Sequence, residues 1–564
     1  MYLSGVQIEN YRGIHKAKLS FNTTTVIIGE NECGKSSILE AIQIVLNPIY
    51  NDSFPEFQAH QFHYPPKKGL IAGPIHIVLT FRERSIGEWE GTTYDRISFL
   101  LKEEPNKIRE IKFDLTVSPL KQGKSNIRWR IGSKKSDSIS SDPEILFWLR
   151  HVNPTIYLSA GMLTGHGHTN VVYGYNSPLF SSLSLEVRNY VKSILDCSTS
   201  IISDRSTDIG RDIDKGYNAA IGLIESVGDQ NNIKEYGLGR KINEILGSKK
   251  DEERGTLAPM LSGPGSTSQR LGVLLLIAAL LRAGTVELME DMEPIWIIEN
   301  PEANLHPMTL ASIRILINGI RWQKIVSTFS GIILNSVPLK QIRKLSRYKG
   351  VVIEHRINEK IFSREDLRRI SYHLQTQHHL AIFARMWLLV EGESEFWIIP
   401  QLARLLNYDF ALEGIVCMDF AQSGMTAIIK MAQELGIEWH LLADGDSAGQ
   451  SYIASAKKLT PHIDTKQRWT QLNANDIEHF FWNNGYSKVY FSHARIRINN
   501  DRNVNPSRVI QRAVKNYSKP YLALSIVKAV AEPGSPGVPE KLRKMIEYSV
   551  KLAREAPEDT SVSN

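Results

Sequence analysis

The chain has 564 residues, 42% hydrophobic and 23% charged, with a formal net charge of +7 and a pI of about 9.0. This length exceeds one hydrophobic core and predicts roughly three or four domains. No apolar run reaches the roughly 18 residues of a membrane span, and the N-terminus lacks a secretory signal. The three cysteines, Cys33, Cys197 and Cys417, are too far apart for a zinc site or a disulfide framework. We therefore expect a cytoplasmic protein without membrane contact, whose charge permits an anionic partner.

The first motif predicts a phosphate-binding loop. Val26–Ile28 has the pattern of a buried strand, the loop GENECG follows, and the next residues open a helix with an apolar face. This is the pattern G-x-x-x-x-G-K-S in the strand–loop–helix context that it requires. Loop N–H groups bind phosphate, the lysine reaches the β- and γ-phosphates, and the serine hydroxyl ligates Mg²⁺. The predicted nucleotide-binding residues of this loop are Gly29, Asn31, Gly34, Lys35, Ser36 and Ser37.

The long segment after this loop predicts the remainder of one ATPase domain with an insertion. Strand-like alternation between residues 85 and 150 predicts an antiparallel part of the same sheet. Helical periodicity in residues 161–250 indicates an inserted helical element, which we interpret as a dimerisation arm. A Ser/Gly-rich stretch, Ser262 to Ser268, then opens a long apolar helix, whose N-terminus predicts a second phosphate contact.

A nucleotide site of this kind needs an acid on a second strand. Ile295–Ile298 has the pattern of a buried strand, and Glu299 lies at its carboxyl end. Ligands gather at that edge of an open α/β sheet. We therefore predict that Glu299 and Ser36 share a magnesium ion bound with ATP.

A second set of acids follows Phe383. A predicted strand, Trp387–Val390, ends at Glu391, and Glu395 falls in the first turn of the next helix. The stretch LLADGDSAGQ contains the end of another predicted strand, followed by Asp444 and Asp446. Two parallel strands would bring these four carboxylates to one edge, where like charges raise each other's pKa unless a cation binds. Oxygen ligands without a His/Cys cluster favour Mg²⁺ or Mn²⁺ over Zn²⁺.

Two further residues complete the predicted catalytic set. Glu478 lies among apolar residues in NANDIEHFF, and Lys519 precedes a proline and an apolar run. A lysine at such a site can stabilise charge on a phosphoryl group or a leaving oxygen. Residues 531–540 have the composition of a linker, and the amphipathic helix after it is predicted to dock rather than to bind DNA.

The motifs together resemble a known family. The stretches IENYRGI, GENECGKSS, SGPGSTSQR, IIENPEANLHP and IVSTFSG stand in the order found in ABC-type ATPase heads, including SMC-like and RecF-like proteins. The pattern E-G-x-x-E, then D-x-D, then an acid and a lysine resembles the Toprim domain. An ATPase head followed by Toprim resembles the OLD (overcoming lysogenization defect) family. The resemblance implies ATP held between two protomers, with Ser266 at the γ-phosphate across the interface and Arg12 near the nucleotide.

The head departs from the family pattern at two positions. Asn300 follows Glu299 where the family has the acid that serves as general base, and Phe329 replaces a histidine in the later switch segment. Loss of a positioned base costs roughly 10²- to 10⁴-fold in rate. We therefore predict a head that binds ATP and hydrolyses it slowly, with Glu302 as the acid that could partly substitute.

The sequence thus predicts an α/β protein with an ATP-regulated, metal-dependent DNA endonuclease activity. The resemblance implies a homodimer or higher oligomer and a role in phage defence, with a further partner protein or nucleic acid. The main alternative is an ATP-gated DNA clamp that does not cleave. A topoisomerase or a primase would each need an additional domain that this sequence does not show. The predicted domains are 1–160 and 251–380 for the head, 161–250 for the insertion, 381–530 for Toprim, and 531–564 for the linker and C-terminal helix.

Overall fold

The computed structural model divides into two compact units, Met1–Glu354 and His355–Asn564. The predicted helical insertion at 161–250 and the predicted phosphate contact Ser266 lie outside the described residues, as does the tail from 557 onward. The described residues are 1–47, 50, 52–64, 73–91, 94–103, 108–119, 125–132, 139–159, 293–302, 322–335, 337–374, 380–421, 424–460, 467–496 and 505–556.

In the described part of the first unit, thirteen strands form one sheet in the order β8-β7-β6-β4-β1-β2-β13-β12-β3-β11-β10-β9, with β5 paired to β6. Strict alternation of buried and half-buried residues, as in β4, is typical of strands with one face on a core. The strands are β1 Tyr2–Tyr11, β2 Ile14–Ser20, β3 Thr24–Gly29, β4 Ile75–Arg82, β5 Lys102–Glu103, β6 Arg109–Pro119, β7 Ser125–Gly132, β8 Ile139–Ser140, β9 Thr155–Ser159, β10 Ile295–Glu299, β11 Gln323–Ser327, β12 Ile342–Tyr348 and β13 Val351–Arg356.

The sheet has an antiparallel and a parallel part. Strands β1, β2, β4, β6 and β7 pair antiparallel, and β6 and β7 lie within residues 85–150, where the sequence predicts an antiparallel part of the sheet. Strands β9, β10, β11, β3 and β12 run parallel, so their carboxyl ends share one edge. Because the phosphate-binding loop follows β3 and Glu299 ends β10, the fold brings both to that edge.

Three helices are described in the first unit: α1 Lys35–Leu46, α2 Pro143–Val152 and α3 Gly331–Leu334. Helix α1 buries Ile38, Leu39, Ile42 and Val45 in the same apolar core as the inner face of the sheet. This burial fixes the end of α1 that carries the loop.

The second unit is built on a four-stranded parallel sheet in the order β15-β14-β16-β17. Strands β14 and β16 are buried along almost their whole length, which is typical of parallel sheets covered on both faces. The strands are β14 Met386–Val390, β15 Ile415–Asp419, β16 Glu438–Ala443 and β17 Trp469–Gln471. The helices are α4 Arg364–Tyr372, α5 Glu393–Leu405, α6 Met425–Glu434, α7 Ser447–Leu459, α8 Ile477–Phe481, α9 Ser487–His493, α10 Pro506–Asn516, α11 Lys519–Ala531 and α12 Glu540–Glu555.

The C-terminal helix α12 docks on this unit, as predicted. Leu542 and Ile546 are fully buried in the apolar core that also contains residues of β14 and α5. The predicted α/β fold class, with a strand–loop–helix phosphate-binding motif in the first unit and a parallel sheet in the second, is confirmed in the described residues. None of the helices in those residues has the length and apolar character needed to cross a bilayer.

Candidate functional site

The loop between β3 and α1 contains two glycines with positive φ angles. Gly29 has φ +152°, and a Cβ atom there would lie 2.5 Å from the carbonyl oxygen of Leu345. Gly34 caps α1 with φ +102°, in the left-handed region that disfavours other residues. Of the other predicted loop residues, Asn31 and Ser36 are exposed and Ser37 is half-buried.

The ammonium group of Lys35 lies inside this loop. Its Nζ donates to the carbonyl oxygens of Gly29 and Glu30, each at 2.8 Å, and lies 4.2 Å from the ring centre of Phe329. Burial lowers the pKa of Lys35. Phe329, which the sequence marks as a departure, is therefore a direct neighbour of Lys35 and interacts with its charge through a cation–π contact.

Glu299 is held at the end of β10 by two hydroxyl groups. Ser36 Oγ donates to one carboxylate oxygen and the Tyr157 hydroxyl donates to the other. The predicted Mg²⁺-binding pair, Ser36 and Glu299, is therefore in direct contact. Burial and the charge of Glu299 raise the pKa of Tyr157. Sequence reasoning missed Tyr157, because 142 residues separate it from Glu299 and no local pattern marks it.

Arg12, which the resemblance places near the nucleotide, points toward helix α1. Its guanidinium forms an ion pair with Glu40 at 2.6 Å. Burial raises the pKa of Glu40, and the positive charge of Arg12 opposes that rise. The pair therefore leaves Arg12 bound to the same helix whose first residues follow the phosphate loop.

Asn300 and Glu302, the two residues that bear on hydrolysis, have different environments. Asn300 adopts φ +47°, and its Oδ1 is buried without a hydrogen-bond partner. Glu302 accepts hydrogen bonds from Thr328 Oγ1 at 2.9 Å and from the backbone N–H of Phe329. Burial raises the pKa of Glu302. Glu302 thus links the segment after β10 to the segment after β11.

The second site lies at the carboxyl ends of β14 and β16, which are neighbours in register. Glu391 directly follows β14, and Glu395 is buried in the first turn of α5 with 6% of its surface exposed. Asp444 directly follows β16. Asp446 caps α7 by accepting the N–H of Gly449 at 2.7 Å. The four predicted carboxylates thus lie on one edge, as their sequence positions indicate.

The carboxylates of this cluster affect each other's ionisation. Burial, reinforced by Glu395 and Glu391, raises the pKa of Asp444 to about 8. Burial also raises the pKa of Glu395 to about 7 and that of Glu391 above its ordinary value. The charge of Lys519 opposes the rise for both glutamates, so this predicted lysine acts on the same cluster. A divalent cation would relieve the repulsion that raises these pKa values.

The residues of the cluster fit a hard cation in chemistry, although their side chains are not gathered around one point. In the described residues, no three His, Cys, Asp or Glu side chains converge closely enough to hold a metal ion as placed. Glu391 Oε2 is nevertheless buried without a hydrogen-bond partner, as expected for an oxygen whose partner is a ligand. The donors are all carboxylates, the set that suits Mg²⁺ or Mn²⁺.

Helix α8 contributes a predicted and an unpredicted acid. Glu478 accepts a hydrogen bond from Ser394 Oγ at 2.7 Å, which ties it to the start of α5 beside Glu395. Asp476 caps α8 and contacts His479 Nδ1 at 2.7 Å. The charges of both acids help to raise the pKa of Asp444. The signal for Asp476 was present in the sequence, since an aspartate before an apolar helical run is a typical N-cap.

Comparison with known proteins assigns both parts of the chain. Residues 1–381 match the family described as "Protein of unknown function (DUF2813)". The chain belongs to the DUF2813 family. Residues 382–446 of this DUF2813 protein match the Toprim domain of proteins like the overcoming lysogenization defect protein. The resemblance to the OLD family is thereby confirmed, and the match includes Glu391, Glu395, Asp444 and Asp446.

Individual proteins resemble the DUF2813 protein to different extents. "Uncharacterized protein YbjD" of Escherichia coli (strain K12) is 31% identical and aligns with 98% of this chain and 99% of its own length. "Old nuclease" of Escherichia phage P2 is 27% identical over 29% of each chain. The solved SMC head domain from Thermotoga maritima has 12% identity, covers 64% of this chain and 100% of its own, and gives a TM-score of 0.33.

The raised pKa of Asp444 predicts a stability effect of pH in the absence of metal. The stability associated with the protonated carboxyl is fully present below the unfolded pKa of about 4 and is lost as pH rises toward the folded value of about 8. Asp444→Asn, which cannot ionise, should therefore melt at a higher temperature than the wild type in EDTA. We expect roughly 5 °C at pH 8.5, allowing for partial solvent exposure, and little difference near pH 4.

Thermal melting between pH 4 and pH 9 measures this effect. Asp409→Asn is the matched control, because Asp409 is an exposed carboxylate of the same unit that contacts Arg404. Added Mn²⁺ should stabilise the wild type more at pH 8.5 than at pH 6, since the cation displaces protons, and should not stabilise Asp444→Asn. If the wild type has a higher melting temperature than Asp444→Asn in EDTA at pH 8.5, the raised pKa of Asp444 does not destabilise the protein as expected.

Proposed function

We propose that this protein is a divalent-metal-dependent DNA endonuclease whose activity is controlled by ATP bound to the first unit. The observation that carries the proposal is the set of four carboxylates at the carboxyl ends of β14 and β16, where burial, reinforced by Glu395 and Glu391, raises the pKa of Asp444 to about 8. The match to an OLD-like Toprim domain and the likeness to a protein named Old nuclease support the same activity.

The acids share one metal site in this proposal. Glu391, Glu395, Asp444 and Asp446 would hold the divalent metal, with Glu478 as a further carboxylate of the cluster. Such a cation supplies an activated water and stabilises charge on the phosphodiester. Lys519 would neutralise the developing charge on the phosphate or the leaving oxygen. Ser394 positions Glu478 through its hydrogen bond. Asp446 uses one carboxylate oxygen to cap α7 through Gly449, and its second oxygen would bind the cation.

The first unit would bind ATP with Mg²⁺. Lys35 would exchange the carbonyl oxygens of Gly29 and Glu30 for the phosphates, and Ser36 and Glu299 would hold the magnesium. Ser266 of a second protomer would complete the nucleotide site, which makes a homodimer the functional state. Because Asn300 cannot act as a base and both Glu302 oxygens accept hydrogen bonds, occupancy by ATP rather than its turnover is the expected signal.

Cleavage of DNA by the purified protein tests the proposal. Supercoiled plasmid and linear duplex are incubated with Mg²⁺ or Mn²⁺, with and without ATP, and analysed for nicked and linear products. Intact DNA under every condition would refute the endonuclease activity. ATP-dependent retention of intact circular DNA would instead favour a non-cleaving clamp.

The proposed biological role is defence against phage, which the OLD resemblance implies. A host that expresses the wild-type chain should give fewer phage plaques than a host that expresses Asp444→Asn. Equal plaque numbers over a broad set of phages would refute the role and leave the endonuclease activity open to its own test.

Slow hydrolysis is predicted to respond to a single substitution. Asn300→Asp would introduce a carboxylate after Glu299 at a left-handed position that aspartate tolerates. We expect ATP turnover to rise at least about tenfold, since a positioned base contributes roughly 10²- to 10⁴-fold. The measurement is phosphate release under steady-state conditions.

Asn407→Asp is the matched control for this variant. Asn407 is also left-handed, with φ +65°, and lies in the second unit. Its substitution should leave turnover unchanged. A wild-type rate already as high as that of Asn300→Asp would contradict the role given to Asn300.

A further inference from the structure

The described helices after the carboxylate cluster expose a basic surface. Helices α9, α10 and α11 pack on one another. Their described residues, 487–496 and 505–531, contain no aspartate or glutamate. They contain seven basic residues, all exposed and none in an ion pair within the described part of the chain: Lys488, Arg495, Arg508, Arg512, Lys515, Lys519 and Lys528.

Three of these cations form a stripe along α10. Arg508, Arg512 and Lys515 follow the spacing i, i+4, i+7, which places them on one side of the helix. Val509 and Ile510 are buried in the core of the unit. The three residues span about 10 Å along the helix axis, the scale of successive phosphates of one nucleic-acid strand. Exposed cations that form no ion pair in the described residues are complementary to a polyanion.

An aromatic cluster lies at the junction of α10 and α11. The rings of Tyr517 and Tyr521 stack, with centroids 5.1 Å apart and planes 15° apart. The His493 ring meets each tyrosine edge-on, with centroid distances of 5.1 and 5.7 Å. Tyr521 is 52% exposed, so part of its ring is open to solvent.

Polar contacts fix this cluster in position. His493 Nδ1 contacts the carbonyl oxygen of Val489 at 2.7 Å, and its Nε2 contacts Ser525 Oγ at 3.3 Å. Asn516 Nδ2 donates to the carbonyl oxygen of His493 at 3.1 Å. The rings are therefore held by all three helices and need little reordering on contact with a ligand.

The aromatic cluster lies close to the carboxylate cluster. Lys519, whose charge acts on Glu391 and Glu395, stands between Tyr517 and Tyr521 in the sequence. Helix α11, which Lys519 begins, packs along α5, the helix that carries Glu395. A strand bound at the carboxylates would thus have cations and an exposed aromatic ring within reach.

We propose that Tyr517 and Tyr521, together with Arg508, Arg512 and Lys515, bind an unpaired DNA strand next to the carboxylate cluster. A base of that strand stacks on the tyrosine pair while the cations of α10 contact its phosphates. Stacking requires a base whose face is free, so the surface selects single-stranded over fully paired DNA. The placement beside a cut rests on the proposed endonuclease function, whereas the binding itself does not.

Binding is measured apart from cleavage, on full-length Asp444→Asn protein in EDTA, by fluorescence anisotropy. The probes are a labelled single-stranded 20-mer of thymidine and a duplex of the same length. Tyr521→Leu should weaken single-strand binding by roughly 5- to 150-fold and change duplex binding little. Tyr521→Phe, which keeps the ring, should bind like the parent. Tyr372→Leu, at an exposed tyrosine of α4, is the control.

The cations give an independent readout. Combined alanine substitution of Arg508, Arg512 and Lys515 should reduce the salt dependence of single-strand binding, log K against log[salt], by about 2. Alanine substitution of Lys541 and Arg543, exposed on α12, should not change it.

Two results would overturn the proposal: single-strand binding by folded Tyr521→Leu within twofold of the parent, or equal loss of single-strand and duplex binding. Absence of DNA cleavage by the wild type would instead refute the endonuclease function and leave this binding comparison intact.

Discussion

Replacing Asp444 with asparagine is expected to reduce DNA cleavage with Mg²⁺ or Mn²⁺ by at least about a thousandfold, because metal-bound charge stabilisation is worth several kcal/mol. Burial raises the pKa of Asp444 most, and the charges of Glu395, Glu391, Asp476 and Glu478 all raise it further. The amide keeps the shape of the side chain and removes the charge. Plasmid nicking in a time course, with equal amounts of folded protein, gives the rate.

Misfolding is a weak explanation for such a loss, because the same substitution is expected to raise the melting temperature in EDTA. Asp409→Asn should retain wild-type cleavage, as its exposed carboxylate lies outside the cluster. Cleavage by Asp444→Asn within tenfold of the wild type would contradict the assignment of the nuclease site.

The capping role of Asp446 and its proposed metal-binding role can be separated by two substitutions. It caps α7 through Gly449, and asparagine is as good an N-cap as aspartate. Asp446→Asn should therefore keep the stability of α7 and lose cleavage, whereas Asp446→Ala should lose both, at about 1 kcal/mol for the cap. If Asp446→Asn cleaves normally, capping is the sole role of this residue.

The sequence predicted those parts of the sites that depend on local order. The phosphate loop was predictable because strand, glycines and helix are contiguous, and the left-handed Gly34 is required where it stands. The four carboxylates were predictable because each lies at or just after a strand end, and parallel strands bring such ends together. These rules need no knowledge of distant contacts.

Contacts between distant segments could not be predicted in this way. Tyr157 reaches Glu299 only because β9 and β10 are neighbours in the sheet, although a long stretch of chain separates them. The sequence identified Phe329 as a departure, but its contact with Lys35 depends on β11 lying beside β3. Asp476 was missed for a different reason: its capping role is local, whereas its effect on Asp444 depends on β16 and β17 being paired.

Removing the charge of Lys35 is expected to weaken ATP binding by at least about a hundredfold, because this ammonium is the proposed phosphate contact of the loop. Lys35 is buried, with 6% of its surface exposed, so Lys35→Met is preferable to Lys35→Ala for keeping the packing against Phe329. Lys18→Ala, at an exposed lysine of β2, is the control. Titration calorimetry with ATP and Mg²⁺ measures the affinity.

The same variant tests whether the two sites are coupled. Lys35 and Asp444 belong to different units, so Lys35→Met should retain metal binding at the carboxylate cluster and lose only its response to ATP. If occupancy is the signal, a non-hydrolysable ATP analogue should change wild-type DNA cleavage as ATP does and should leave the variant unchanged. Coupling is a difference in free energy between nucleotide-bound and nucleotide-free states, so it must appear as a ratio of cleavage rates in the wild type that Lys35→Met abolishes. If wild-type cleavage is equal with ATP, with the analogue and without nucleotide, and Lys35→Met matches it throughout, the nucleotide site serves assembly and does not control the nuclease.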